Sequence, residues 1–320
     1  MEKLALLTSG GDAPGMNACI RSTVRTAISK GVKVYGVYRG YEGLINGELV
    51  ELESRDVANI IQKGGTILKS ARSESFRMPE GRKRAFNQLE KFGIDGIIVI
   101  GGDGSLTGAY KLYTEFEFPV VGVPGSIDND IYGTDLSIGV DSALNRIINA
   151  IDIINDTASS HDRTFVIEVM GRNNGFLALM STIAGGAEYA FVPEKKCNYD
   201  DVIKLAKDRY KYGKSRSIII VAEGAAQGQD VANALVDAGF SDTRVTVLGH
   251  LQRGGPPTYF DRILGTSMGI YAVEGIINGK AGTMVALKGS KLCYIPLKDI
   301  INKKKSISLE LLEINKLMNI

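Results

Sequence analysis

The amino-acid sequence predicts an α/β fold built on parallel sheets, and three observations carry that expectation. Short apolar, β-branched runs alternate with stretches of helical periodicity from one end of the chain to the other. Several of these runs stop at glycine-rich turns and pass directly into a helical pattern, which is the strand, turn and helix unit of a parallel sheet. The 320 residues are enough for a full hydrophobic core and for two domains. Glycine supports the same reading. Its 38 residues are about 12% of the chain against an average near 7%, and many follow apolar runs, where α/β proteins place ligand loops.

In order, residues 4–7 form the first apolar run, followed by Gly10-Gly11-Asp12 and a helical pattern over 16–28. Residues 32–37 read as a strand, 40–43 as a turn, 56–62 as a short helix, and 70–77 as an irregular polar loop carrying Arg72 and Ser73. An amphipathic helix over 81–92 leads into a strand over 94–100. The turn Gly101-Gly102-Asp103-Gly104-Ser105 then opens a helix over 106–113, and a strand over 119–123 ends in Pro124-Gly125-Ser126-Ile127-Asp128-Asn129-Asp130. A long helix is expected over 141–156, then a strand over 164–170 that ends at Gly171 and Arg172, then a helix over 176–183. Strands at 189–192, 217–222 and 245–248 alternate with helices at 199–210 and 231–237. The polar turn 248–255 precedes a helix over 261–277; Lys303, Lys304 and Lys305 read as a solvated run and 309–318 as a closing helix.

Composition narrows the function classes. Lys+Arg 38 against Asp+Glu 36 leaves a formal charge of +2, which offers no nucleic-acid or acidic-membrane surface. Function must come from local charge. Cys19, Cys197 and Cys293 are odd in number and lack metal spacing, as expected of a reduced cytoplasmic interior. No apolar stretch approaches the roughly 20 residues of a membrane span.

The two acidic turns after the strands at 94–100 and 119–123 are the sharpest chemical signal. Parallel strands would bring them to one sheet edge. Glycines let a backbone approach a ligand closely, and the N–H groups of a helix start favour phosphate. Carboxylates there repel phosphate unless a cation intervenes, so Asp103 reads as a Mg²⁺ contact and Asp128 as a general base for phosphoryl transfer. Tight turns with capping aspartates are the alternative. No P-loop is present, and the Gly102, Gly104, Gly108 spacing misses the dinucleotide fingerprint by one residue. Gly11, Arg72, Asp103, Gly104 and Ser105 remain as a triphosphate cradle. Arg163, Arg172, Arg244, His250 and Arg253 fall near strand ends, where guanidiniums hold a second phosphate; spread arginines, like the histidines His161 and His250, are otherwise ordinary surface or core groups.

The strings TSGGDAPGMN, IGGDGS, PGSIDND, MGR, AEG and GHLQRGG, in this order, resemble the bacterial ATP-dependent 6-phosphofructokinases over nearly the whole chain. The resemblance implies two doubly wound, Rossmann-like domains of unequal size: 1–138 with 251–301 for ATP, and 139–250 with 302–320 for fructose 6-phosphate. It implies MgATP as co-substrate, the committed step of glycolysis, and a homotetramer. Gly11, Arg72, Ser73, Gly102, Asp103, Gly104 and Ser105 would hold ATP, with Asp103 on Mg²⁺. Asp128 would take the proton of the sugar 1-hydroxyl, and Arg172 would offset charge in the transition state. Ser126, Ile127, Met170, Gly171, Glu223, His250, Leu251, Gln252 and Arg253 would bind the sugar phosphate, joined by Arg163 and Arg244 from a neighbouring subunit. The family usually has Thr at Ser126, and the hydroxyl is kept.

Family effectors, ADP or phosphoenolpyruvate, bind at a subunit interface, where this chain matches at Arg21, Arg25, Glu188 and Lys214. It departs at Ser54, Asn155 and Tyr212, with Arg55, Lys211 and Arg216 nearby. Pyrophosphate-dependent relatives put an Asp at the Gly104 place and a Lys at the Gly125 place, so ATP is favoured. Lipid or dinucleotide kinases would not account for PGSIDND or GHLQRGG, and a non-catalytic nucleotide sensor has no need of Asp103, Asp128 and Arg172.

Overall fold

The computed structural model describes residues 1–161, 163–212 and 216–318. In chain order the elements begin with β1 (Lys3–Ser9), α1 (Met16–Ser29), β2 (Lys33–Val37), α2 (Gly40–Asn46), β3 (Leu49–Leu52), α3 (Glu74–Arg77) and α4 (Pro79–Phe92). There follow β4 (Gly96–Gly101), α5 (Asp103–Phe116), β5 (Val120–Pro124), α6 (Val140–His161), β6 (Thr164–Val169), α7 (Phe176–Gly185) and β7 (Tyr189–Phe191). The chain closes with α8 (Tyr199–Lys211), β8 (Ser217–Ala222), α9 (Gly228–Asp237), β9 (Thr243–Val247), α10 (Tyr259–Ile277), β10 (Thr283–Lys288), β11 (Lys291–Pro296) and α11 (Glu310–Met318). The α/β class and the parallel sheets expected from the alternating pattern are what the chain forms.

Two compact units result, Met1–Ser142 with Arg253–Lys305, and Ala143–Gln252 with Ser306–Ile320. The larger carries a seven-stranded sheet in the order β11-β10-β5-β4-β1-β2-β3. Its inner strands pair in parallel, and the edge strands β3 and β11 are antiparallel. Strands covered on both faces should read as continuous apolar runs, and every residue of β4 is buried. Leu7, Val99, Leu106, Ala109, Leu112 and Val120 form part of the core on one face. The chain starts in mid-sheet at β1, winds outward through β2 and β3, then returns to β4 on the other side of β1. The direction of winding therefore reverses between β1 and β4, and such a switch point leaves a crevice at the carboxyl ends of the strands.

The smaller unit has a four-stranded parallel sheet, β7-β8-β6-β9. Val166, Phe191, Ile219, Val221, Val231 and Leu235 form its core with the helices α8 and α9 packed on it.

Several local expectations change. Residues 40–43 are the first turn of α2, because Tyr41 and Leu44 bury one helical face. Residues 56–62 are turns, not a helix: Asp56 accepts the Glu53 N–H at 2.8 Å, and Asn59 takes φ 55°, which no α-helix accommodates. The polar loop contains the one-turn helix α3. The strands β3, β10 and β11 went unpredicted, although the two-residue Gly289-Ser290 link between β10 and β11 is a hairpin signal. Lys305 is not simply solvated, since its Nζ donates to the Asp135 carbonyl at 2.7 Å and burial pulls its pKa down to about 8 against the attraction of Asp135.

Candidate active site

Two glycine turns flank the switch point of the larger unit. Gly10 and Gly11 follow β1, and Gly102 to Ser105 follow β4, with Ser9 and Gly101 in register as the last residues of the two strands. At the start of α5 no side chain caps the helix, so its N-terminal N–H groups face a position that favours an anion. A Cβ on Gly104 would meet no protein atom within 4 Å, so packing does not demand this glycine and the space beside it is open to a ligand. Gly11 is different. A Cβ there would lie 2.5 Å from Arg253 Nη1, a guanidinium that also donates to the Asp12 carbonyl at 3.2 Å.

Residues the sequence did not single out hold this frame. The buried Tyr41 hydroxyl donates to the Ser105 carbonyl at 2.7 Å, and its ring stacks on Phe76 at 3.8 Å. Ser73 caps α3 by accepting the Phe76 N–H and donates to Glu42 Oε2 at 2.6 Å; Ser70 Oγ reaches the Gly10 carbonyl at 2.6 Å. The loop bearing the exposed Arg72 is thereby tied to both glycine turns. Helical spacing of Tyr41 and Leu44 was the available signal, and the flanking glycines hid it.

β5 lies beside β4, and the Gly125 N–H donates to the Gly101 carbonyl at 2.9 Å, which sets the second acidic turn against the first. Ser126 Oγ donates to Asp130 Oδ1 at 3.0 Å and accepts the Asp128 N–H at 3.3 Å. Ser137 Oγ holds the Ser126 carbonyl at 2.7 Å, and Asn129, at φ 52°, donates to the Asp135 carbonyl at 3.2 Å. Asp128 is thus fixed and only 2% exposed. Ile127 points into the core, so only its backbone is available to a ligand. The Asp103 side chain keeps access to solvent, yet partial loss of hydration and then repulsion from Asp130 raise its pKa.

Within the smaller unit the predicted residues fall into two groups. At the carboxyl end of the sheet, Met170, Gly171 and Arg172 follow β6, Glu223 follows β8, and His250, Leu251 and Gln252 follow β9. Glu223 Oε1 accepts the Arg172 N–H at 3.0 Å, and Arg172 sits at φ 49°. Gln252 is fully buried, with Oε1 taking the Met170 N–H at 3.1 Å and Nε2 donating to the Gly249 carbonyl at 3.0 Å, so its side chain braces the turn. His250 and Leu251 are exposed. Arg163 and Arg244 stand at the opposite, amino end of β6 and β9. Six residues of β6 at about 3.3 Å each put roughly 20 Å between the two groups.

The effector residues also divide. Arg21 and Arg25 lie one turn apart on α1. Glu188 is taken up internally: Arg209 Nη2 lies 2.5 Å from Oε1 and the Ile218 N–H 2.5 Å from Oε2. Arg216 Nη1 is bonded to Asn155 Oδ1 at 3.0 Å. Lys214 lies outside the described residues.

A doubly wound sheet whose switch point carries two glycine turns and a pair of acidic turn residues defines an α/β protein built to handle phosphate. The chain belongs to the phosphofructokinase family, whose model matches residues 3–276. It is 51% identical over 325 residues to the ATP-dependent 6-phosphofructokinase of Cytophaga hutchinsonii, covering 100% of this chain and 98% of that one. The enzyme of that name from Halalkalibacterium halodurans is 51% identical over 320 residues, the whole of both chains. Among solved structures, phosphofructokinase from Saccharomyces cerevisiae superposes with a TM-score of 0.88 at 40% identity, over 100% of this chain and 48% of that chain. Among the described residues no helix is long and apolar enough to cross a membrane.

Proposed function

We propose that this chain transfers the γ-phosphoryl group of ATP to the 1-hydroxyl of D-fructose 6-phosphate, giving fructose 1,6-bisphosphate and ADP. The observation that carries the chemistry is the pair of acidic turns on adjacent strand ends, Asp103 after β4 and Asp128 after β5. Their environments differ, and so do their roles. Asp103 is accessible and already disfavoured as an anion by partial desolvation and then by Asp130, which suits a carboxylate that shares a divalent cation. Among the described residues no cluster of three or more metal-binding side chains exists. Mg²⁺ suits that setting, because it is commonly held by one or two carboxylates with nucleotide phosphates and water supplying the rest. When bound it neutralises charge on the phosphate oxygens.

Asp128, buried and held by its turn, accepts the sugar hydroxyl proton, so the attacking oxygen gains nucleophilicity as it meets the phosphorus. Gly11, Arg72, Ser73 and Gly102 to Ser105 in the larger unit bind ATP. Ser126, Met170 to Arg172, Glu223, His250 and Arg253 bind fructose 6-phosphate, and Arg172 stabilises the charge of the transferring group. The roughly 20 Å between the two ends of β6 exceeds the span of one sugar phosphate. Arg163 and Arg244 therefore serve the site of a second copy, in a homotetramer. Pyrophosphate is disfavoured as donor: the Asp and Lys of that subgroup are Gly104 and Gly125 here, and a Cβ on Gly104 would meet no protein atom within 4 Å, which leaves room for the α-phosphate of ATP. Regulation by ADP or phosphoenolpyruvate is weak, because Glu188 and Arg216 are committed to internal partners.

A coupled assay of ADP release with fructose 6-phosphate, repeated with pyrophosphate in place of ATP, tests the reading. Turnover with ATP and none with pyrophosphate is the expected result; no turnover with either would overturn it.

A further inference from the structure

The amino end of the smaller sheet holds a three-residue arrangement that no motif announces. Asp242 immediately precedes β9, and the parallel register that pairs Thr164 with Thr243 and Phe165 with Arg244 sets Asp242 beside Arg163. Arg244 lies two residues beyond Asp242, so the two side chains leave the strand on one face. One carboxylate therefore meets both guanidiniums, an oxygen for each. Arg163 Nε lies 2.8 Å from Oδ2 and Arg244 Nη2 lies 2.7 Å from Oδ1. Arg244 Nη1 is also held, 3.3 Å from the Thr243 carbonyl.

An exposed ion pair is a weak stabilising device, and these side chains keep 33%, 45% and 51% of their exposure for Arg163, Asp242 and Arg244. The arrangement makes better sense as pre-organisation. Two guanidiniums this close repel, and each has a long side chain whose rotamer freedom is lost when it grips a ligand. A shared carboxylate offsets the repulsion and fixes both chains before the ligand arrives. Arg163 is held through Nε, so its two terminal nitrogens stay available as a fork, the geometry that suits a phosphate dianion.

We infer that Asp242 is the positioning residue of the sugar-phosphate arm, setting the spacing and aim of Arg163 and Arg244 for the phosphate in a neighbouring copy's site. This rests on the intersubunit reading above. Removing the carboxylate also removes a negative charge near a phosphate, which by itself would tighten binding. At an exposed site that repulsion is screened, whereas the loss of order in two side chains is not. Weaker binding is the net expectation.

The test uses the assembled full-length enzyme and the variants Asp242→Asn, Asp242→Glu and Arg244→Ala. Asp242→Asn should raise KM for fructose 6-phosphate about tenfold, with kcat and KM for ATP within about twofold and Tm unmoved. Asp242→Glu keeps the carboxylate and should stay within about threefold of the parent KM. If Arg244→Ala raises that KM while Asp242→Asn leaves it unchanged or lowers it, the inference is wrong and the intersubunit reading survives. If Arg244→Ala leaves it unchanged as well, the reading itself fails and the inference with it. Should Asp242→Asn not assemble, Asp242→Ser measured the same way carries the same decision.

Discussion

The carboxyl edge of the larger sheet and the amino edge of the smaller one make a useful comparison, because the same chain prepares them in opposite ways. Around Asp128 the turn is buried and cross-braced by Ser126, Ser137 and Asn129, so the group is aimed before any ligand binds. Around Asp242 the groups are half exposed: the carboxylate meets both guanidiniums, and Arg244 Nη1 also bonds the Thr243 carbonyl. Burial and hydrogen bonding fix a geometry that proton transfer needs to a fraction of an ångström. A screened arginine arm needs only to capture charge. Changes around Asp128 should therefore appear in kcat, and changes around Asp242 in KM.

The largest effect should come from Asp128→Ser. Loss of a general base costs roughly 10²–10⁴ in kcat, while KM for fructose 6-phosphate moves little. A steady-state comparison with the parent enzyme checks this, and a kcat near normal would remove Asp128 from its role. The Arg244→Ala change belongs to the other edge. Loss of charged hydrogen bonds worth about 1.5–3 kcal/mol should raise KM for fructose 6-phosphate by roughly 10- to 150-fold. Mixing the two variants sharpens the contrast: assayed at fructose 6-phosphate well below the KM of Arg244→Ala, where neither parent is appreciably active, hybrid oligomers of Asp128→Ser and Arg244→Ala subunits should regain activity through sites that draw one intact half from each parent. Absence of recovery in verified hybrids would tell against an arm that crosses between copies.

A smaller effect should follow from Tyr41→Phe. The variant keeps the stack on Phe76 and loses one hydrogen bond to the Ser105 carbonyl at the start of α5. A buried neutral bond is worth about 0.5–1.5 kcal/mol, so KM for ATP should rise up to about tenfold while KM for fructose 6-phosphate stays put. An equal rise in both would mean that the frame is general scaffolding and not specific to the nucleotide side.

How much of this was legible beforehand follows the same divide. Turns that need glycine announce themselves, and Gly11, Gly102, Gly104 and Gly125 marked the carboxyl edge of the larger sheet from the sequence alone. The same rule misled at Gly40 and Gly43, where glycine serves packing inside α2: a Cβ on Gly43 would lie 1.6 Å from the Tyr38 carbonyl oxygen. The edge strand β3 has only four residues, two of them exposed, and β11 is nowhere fully buried, so their apolar signal is faint. Asp242 was invisible for a deeper reason. Its partners are chosen by strand register between residues 79 positions apart, and nothing local records a register.

Glu188 is a third case, and it bears on the smallest expected effect. The resemblance placed it among effector ligands, yet its carboxylate is enclosed with Arg209, with 11% and 13% of the two side chains exposed. It also accepts the Ile218 N–H, and the Asn315 side chain bonds the Glu188 carbonyl at 3.1 Å, which fastens α11 to the same spot. Burial raises the Glu188 pKa, opposed by the Ile218 N–H and then by Arg209 and Arg216, and the same Arg209 and Ile218 contacts hold the carboxyl group in the fold. An effector that used this carboxylate would have to break the Arg209 pair. Breaking a buried pair leaves an uncompensated charge and costs about 3–5 kcal/mol, more than the 1–3 kcal/mol of a usual allosteric coupling. Arg216, the nearest replacement cation, is occupied with Asn155. Half-saturation by fructose 6-phosphate should then shift less than about twofold when ADP or phosphoenolpyruvate is added at millimolar levels. Saturation curves with and without each effector decide the matter, and a large shift that saturates at low effector concentration would show that the Arg209 pair yields.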